Sequence, residues 1–165
     1  MARKRRFQRR FFCFRRINAG FPLCCKCDHN KKGFSAMNKT EFVTRALTDV
    51  LGEHIGDESL VEQYFSRDYV QVVNGQTIEF PAFLAHLNAL KMATRSITIE
   101  IKSIAEGESC VHTQHIAKAE KVSGEHAAFE VFACFRLADG KIVRCEEVTR
   151  QLTGDESDND LGSRT

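Results

Sequence analysis

Two carboxylates and two imidazoles, Glu130, Glu147, His86 and His115, are the side chains in this sequence best suited to moving a proton. A carboxylate under an apolar lid loses the water that stabilises its charge. Its pKa then rises and it becomes a better base near neutrality. A neutral imidazole nearby can donate a hydrogen bond to the oxygen of a developing enolate. Tyr69 offers a second donor for that oxygen, and Gln71 can orient a carbonyl or hydroxyl. The set suffices for proton abstraction beside a carbonyl, the chemistry of isomerisation and aldol-type cyclisation, with no metal and no organic cofactor. Each residue also has an ordinary role. Glu130 can pair with Arg136, Arg144 or Arg150, Glu147 with Arg150, and a histidine can be a satisfied core or interface group. Strand alternation sets Thr113 and His115 against His112 and Gln114, so only one pair can point inward. His54, His112 and His126 read as surface groups, and Glu146 as solvated or paired.

The element that must position most of these groups is a long β-hairpin over residues 125–152. Two runs rich in Val, Phe, Ile and Thr flank Ala138-Asp139-Gly140, and Asp-Gly supplies the positive φ that a tight hairpin turn demands. The first arm, 127–135, is apolar on both faces, so both should be covered by protein. The second alternates, with Val143, Cys145, Glu147 and Thr149 on one face and Ile142, Arg144, Glu146 and Val148 on the other. A half-polar strand beside a buried one reads as the wall of a lined cavity. Phe80, Phe83 and Phe129, with Val131 and Phe135, would make that lining apolar and suited to a small hydrophobic molecule, although plain core packing is the commoner fate of Phe.

Upstream, Asn38 or Thr40 caps a helix whose Phe42, Val43, Ala46, Leu47, Val50 and Leu51 recur at helical spacing. Asp57 or Ser59 opens a second helix, residues 68–73 form a strand ending at Asn74-Gly75, and Phe80-Pro81 opens a third helix. Strands over 97–104 and 110–120 precede the hairpin. Helices first and a long antiparallel sheet afterwards predict an α+β fold.

Charge divides the chain. Residues 1–36 carry 11 of the 24 Lys and Arg but only one of the 22 acids, so 13 bases and 21 acids remain beyond them. The domain, over 37–152, is therefore acidic and unsuited to nucleic acid. No run reaches the ~18 apolar residues of a membrane span. Scattered strand cysteines, Cys110, Cys134 and Cys145, read as reduced, buried small hydrophobes in a cytoplasmic protein. Cys24, Cys25, Cys27 and His29 invite zinc, but within residues 1–36 only Cys13 stands at a distance as a further thiol, so no metal is assigned. The basic stretch 1–36 reads either as an arm or transit segment or as an over-extended gene start before Met37. Residues 153–165 read as an acidic, disordered tail.

YFSRDYVQVVNG, then FPAFLAHLNAL, then LADGKIVRCEEVTRQL resembles the SnoaL-like branch of the nuclear transport factor 2-like superfamily over about residues 38–152. The resemblance implies a cone-shaped, curved antiparallel sheet wrapped around N-terminal helices, often as a homodimer packing sheet against sheet. Tyr69 and Gln71 match the start of a run that helps form the pocket, while the histidine frequent after that Gln is absent. His86, His115 and Glu147 match positions that often face the pocket. The superfamily holds isomerases, cyclases, dehydratases, epoxide hydrolases and plain binding or assembly modules, so the expectation is a pocket protein, either an acid–base enzyme or a non-catalytic binding or scaffold module.

Overall fold

A computed structural model describes residues 38–158 apart from Glu53. The zinc and start-site readings of residues 1–36 lie outside the described residues. Helix α1, Lys39–Leu51, begins where the Asn38 side chain accepts the Thr40 N–H (3.0 Å), and it buries Phe42, Val43, Ala46, Leu47 and Val50. Helix α2, Glu58–Tyr64, is capped by Asp57, whose carboxylate accepts the N–H groups of Ser59 and Leu60. Helix α3, Phe80–Ala93, starts with Pro in its first turn, where the missing N–H costs nothing, and it buries Phe80, Phe83, His86, Leu87 and Leu90.

The strands are β1, Phe65–Val73; β2, Gln76–Glu79; β3, Thr94–Glu106; β4, Cys110–Lys121; β5, His126–Ala138; and β6, Lys141–Thr153. They form one six-stranded sheet in the order β2-β1-β6-β5-β4-β3. The α+β architecture matches the sequence reading; the sheet, however, is mixed. β1 and β6 run parallel, which the long connection through α3 and four further strands permits, and all other pairs are antiparallel. The short strand β2 was not foreseen. It follows from the turn before it: Asn74 (φ 49°) and Gly75 (φ 83°) make the two-residue turn with both φ positive that returns a hairpin at once. Asp139 (φ 49°) and Gly140 (φ 78°) do the same between β5 and β6.

The sheet curls over the helices. In a flat sheet β2 and β3 would lie five spacings apart, about 24 Å. Yet Ile78 of β2 and Ile99, Ile101 and Ile104 of β3 pack against the same buried cluster. Helix α1 lies against β3 and β4, and α3 against β1. On β5 the inward residues Ala127, Val131, Ala133 and Phe135 are buried, whereas Phe132 on the outer face is 50% exposed. The expected alternation on β6 fails at one point. The pairing slips between Arg136↔Arg144 and Leu137↔Ile142, so Val143 is an extra residue. That bulge puts Ile142 in the core on the side of Cys145, instead of on the outer face with Arg144.

Of the acidic segment, residues 153–158 are described and 159–165 lie outside the described residues. Asp158 is buried, its carboxylate accepts the Asp155 N–H (2.8 Å), and Lys121 Nζ reaches it at 3.1 Å. Among the described residues no helix is long and apolar enough to cross a membrane. Leu87, fully buried where α3 meets the core, is the position where truncation should be felt most simply. Leu87→Ala should lower the unfolding free energy in denaturant titration by roughly 2–5 kcal/mol, the transfer and cavity cost of a buried leucine.

Candidate active site in the sheet cavity

The concave face encloses a cavity of ≈ 120 Å³. Leu47 and Val50 of α1, Phe83 and Leu90 of α3, and Phe129 and Val131 of β5 make it largely apolar. Six polar or ionisable side chains break that lining: Tyr69, Gln71, His86, His115, Cys145 and Glu147, joined at the edge by Thr149. Period-two alternation aims most of them inward. Tyr69 and Gln71 share a face of β1, Cys145, Glu147 and Thr149 share a face of β6, and the parallel pairing sets Gln71 beside Cys145.

Within this group the hydrogen bonds form a chain. Tyr69 Oη donates to Gln71 Oε1 (3.4 Å), and Gln71 Nε2 donates to Glu147 Oε1 (3.0 Å). The Cys145 thiol points at the second carboxylate oxygen (3.6 Å). Burial pushes the Glu147 carboxyl up to about 7, against the smaller opposing pull of the Gln71 and Cys145 hydrogen bonds. Burial, followed by the charges of Cys145 and Glu147, holds the Tyr69 phenol well above its ordinary range. The Cys145 thiol is likewise pushed well up, chiefly by burial.

The parity question on β4 resolves in favour of Thr113 and His115, which are both buried, while His112 is exposed. Thr113 Oγ1 lies 3.0 Å from His115 Nδ1. Burial depresses the imidazole to about 4, so His115 is neutral at physiological pH. In the tautomer in which the threonine hydroxyl donates to Nδ1, the ring proton is on Nε2, free to be donated into the cavity. His86 is 4% exposed on α3 and lines the same cavity.

The cavity thus gathers His86, His115, Glu147, Tyr69, Gln71, Phe83 and Phe129 from the sequence candidates. Two others lie elsewhere. Glu130 is on the outer face of β5, where it accepts hydrogen bonds from Gln114 (2.9 Å) and Arg150 (2.6 Å), which hold its carboxyl below the ordinary range. Phe80 is a core residue at the start of α3, outside the cavity lining. Cys145 and Thr113 were overlooked as site residues. Each stands two positions from a candidate on the same strand, and that parity was the available signal.

No family model matches the chain. An uncharacterized protein of Schizosaccharomyces pombe is 29% identical over 124 residues, covering 75% of this chain and 95% of its own length. AclR, a proposed hydroxylase from Streptomyces galilaeus, superposes with a TM-score of 0.59 at 17% identity, over 75% of this chain and 84% of its own. IdmH, a proposed polyketide cyclase from Streptomyces antibioticus, gives 0.58 at 14% identity, over 68% and 92%. These likenesses, together with further SnoaL-like and ketosteroid isomerase-like structures that superpose on it, show that the chain has the nuclear transport factor 2-like fold.

Proposed function

We propose that the cavity is the active site of a cofactor-independent enzyme that moves a proton beside a carbonyl in a small hydrophobic substrate, as an isomerase, cyclase or dehydratase does. One observation carries the reading: a carboxyl group held near neutrality in an apolar chamber, with neutral hydrogen-bond donors lining the same chamber. Glu147 takes the α-proton and becomes a neutral acid. The electron pair moves onto the carbonyl oxygen, where His115 donates a hydrogen bond to the enolate, or Tyr69 does so by turning its O–H from Gln71. Glu147 then returns the proton to another carbon in an isomerisation, or to the new alkoxide in an aldol closure, so no net proton is consumed. Gln71 fixes the carboxylate and is a positioning residue. His86 completes the polar set on the helix side.

Size limits the substrate. A chamber of ≈ 120 Å³ is near the ~150 Å³ of an apolar protein cavity that takes benzene, so a molecule of about one ring is accommodated and a fused polycycle is not. The test is solvent deuterium exchange at the α-carbon of small cyclic ketones, followed by proton NMR. Exchange faster than in buffer, and lost in Glu147→Gln, supports the enzyme. Binding of the ketone without exchange leaves a non-catalytic binding module, the alternative use of the same pocket.

The outer face supports a homodimer. Phe132 and Val148 are paired directly across β5 and β6 and are 50% and 63% exposed. An aromatic beside a branched aliphatic on an open sheet is the kind of patch that a second copy covers. Phe132→Asp should convert a dimer into a monomer in sedimentation equilibrium while leaving deuterium exchange in place. A parent chain that sediments as a monomer at micromolar concentration would end this part of the proposal.

A further inference from the structure

On the outer face of the sheet, away from the cavity lining, three soft ligand groups converge. Cys110 and His112 are two residues apart on β4 and so share a face, and the pairing sets Cys134 of β5 directly opposite His112. His112 Nε2 lies 3.5 Å from Cys110 Sγ and 3.9 Å from Cys134 Sγ, and all three atoms fall within 4.8 Å of one another. Strand position alone predicts buried small hydrophobes at Cys110, Cys134 and Cys145. Only Cys145 is buried; Cys110 and Cys134 are half-buried, within reach of solvent.

We infer that Cys110, His112 and Cys134 form a binding site for a thiophilic divalent cation, zinc(II), with the fourth position open. Zn–S bonds of about 2.3 Å and a Zn–N bond of about 2.05 Å at tetrahedral angles put sulfur–nitrogen ligand edges near 3.6 Å and the sulfur–sulfur edge near 3.8 Å. The two observed sulfur–nitrogen separations bracket the first value, and the sulfur–sulfur separation, within 4.8 Å, closes to the second by side-chain adjustment. Two thiolates and a neutral imidazole cancel the charge of the ion. Binding therefore releases two thiol protons per zinc. The remaining position, left to water or an outside ligand, is the pattern of an accessible zinc rather than a closed structural one. Gly107 contributes by its lack of a side chain: a Cβ there would come within 2.8 Å of Cys110 Sγ. Arg136, opposite Cys110 in register, and Glu146, opposite Cys134, flank the cluster with charges of opposite sign. The inference does not rest on the catalytic reading; the cluster shares its face with Phe132 and Val148, so a dimer through that patch would bring the second copy beside the open position.

The experiment uses the full chain with Cys13, Cys24, Cys25 and Cys27 changed to Ser, reduced and stripped of metal by chelator. Titration with cobalt(II) should give thiolate-to-metal charge-transfer absorption and the d–d bands of a four-coordinate ion, saturating at one per chain and displaced by zinc. Loss of an outer partner of a zinc ligand already weakens affinity about 10–100-fold, so Cys134→Ser should weaken zinc binding by at least on the order of 100-fold. His112→Ala, at an exposed position, should do the same with the fold intact by circular dichroism, which covers the case of a misfolded serine variant. Cobalt spectra without thiolate character, or an affinity unchanged by both substitutions, would overturn the site.

Discussion

Glu147→Gln is expected to lower the proposed turnover by about 10²–10⁴-fold, as the loss of a general base implies, and at the same time to make the folded chain more stable at pH 8. The two effects have one cause. Glu147 titrates near 4.5 in the unfolded chain and about 7 in the fold, so between those values the folded state holds a proton that the unfolded state has lost. The contribution of Glu147 to stability therefore falls as pH rises through that window. Above pH 8 the ionised carboxylate costs at most about 3 kcal/mol, which glutamine removes. Below pH 4.5 both states are protonated and parent and variant should unfold alike. A substitution that lowers activity by destabilising the site would move stability the other way, so denaturant titrations at pH 4.5 and 8 separate the readings. In the parent, kcat/KM should rise to a plateau with an apparent pKa near 7. No descending limb is expected at moderately alkaline pH, because Tyr69 holds its proton well beyond 10.

The second large effect is concealed in the parent. His115 has its folded pKa depressed from 6.5 to about 4 by burial, so its contribution is present above pH 6.5 and is lost as pH falls towards 4. By the same linkage that loss reaches at most about 3 kcal/mol. Glu147 and His115 thus have opposite slopes over nearly the same interval, and the parent should show little net pH dependence from this pair between about pH 4.5 and 6.5. Each single variant exposes the other group. Glu147→Gln should become acid-labile across this interval, whereas His115→Gln should become less stable with rising pH. Equal pH slopes of stability in the parent and both variants would show that these groups are not buried as described.

The helices and the long hairpin were legible because their signals are local. Asn38 and Asp57 are side-chain caps, Pro81 sits at a helix start, and Asp139-Gly140 demands a particular turn. Asn74-Gly75 carried an equally strong hairpin signal, yet Gln76–Glu79 has only four residues and no buried apolar alternation, so the strand after the turn went unread. The parallel pairing of β1 with β6 joins residues more than seventy positions apart, and no local pattern encodes it. The bulge at Val143 is of the same kind: strict alternation assigned Ile142 to the wrong face because the slip is imposed by the partner strand.

The cavity residues were readable where parity and family position agreed, as for Glu147, His115, Tyr69 and Gln71. Glu130 failed because composition shows a carboxylate amid apolar residues but not which face it occupies. On the outer face Arg150 and Gln114 satisfy it. Cys110, His112 and Cys134 were individually unremarkable, and their convergence depends on the β4–β5 register, which only the folded sheet supplies.

The proposed chemistry turns on the ionisation of one carboxyl group, that of Glu147. Titration of ¹³C-labelled glutamate side chains by NMR, with the Glu147 resonance assigned by its absence from Glu147→Gln, measures it directly. A midpoint near 7 is predicted. A midpoint near the ordinary 4.5 would place the carboxylate in water and remove the base from the proposed chemistry.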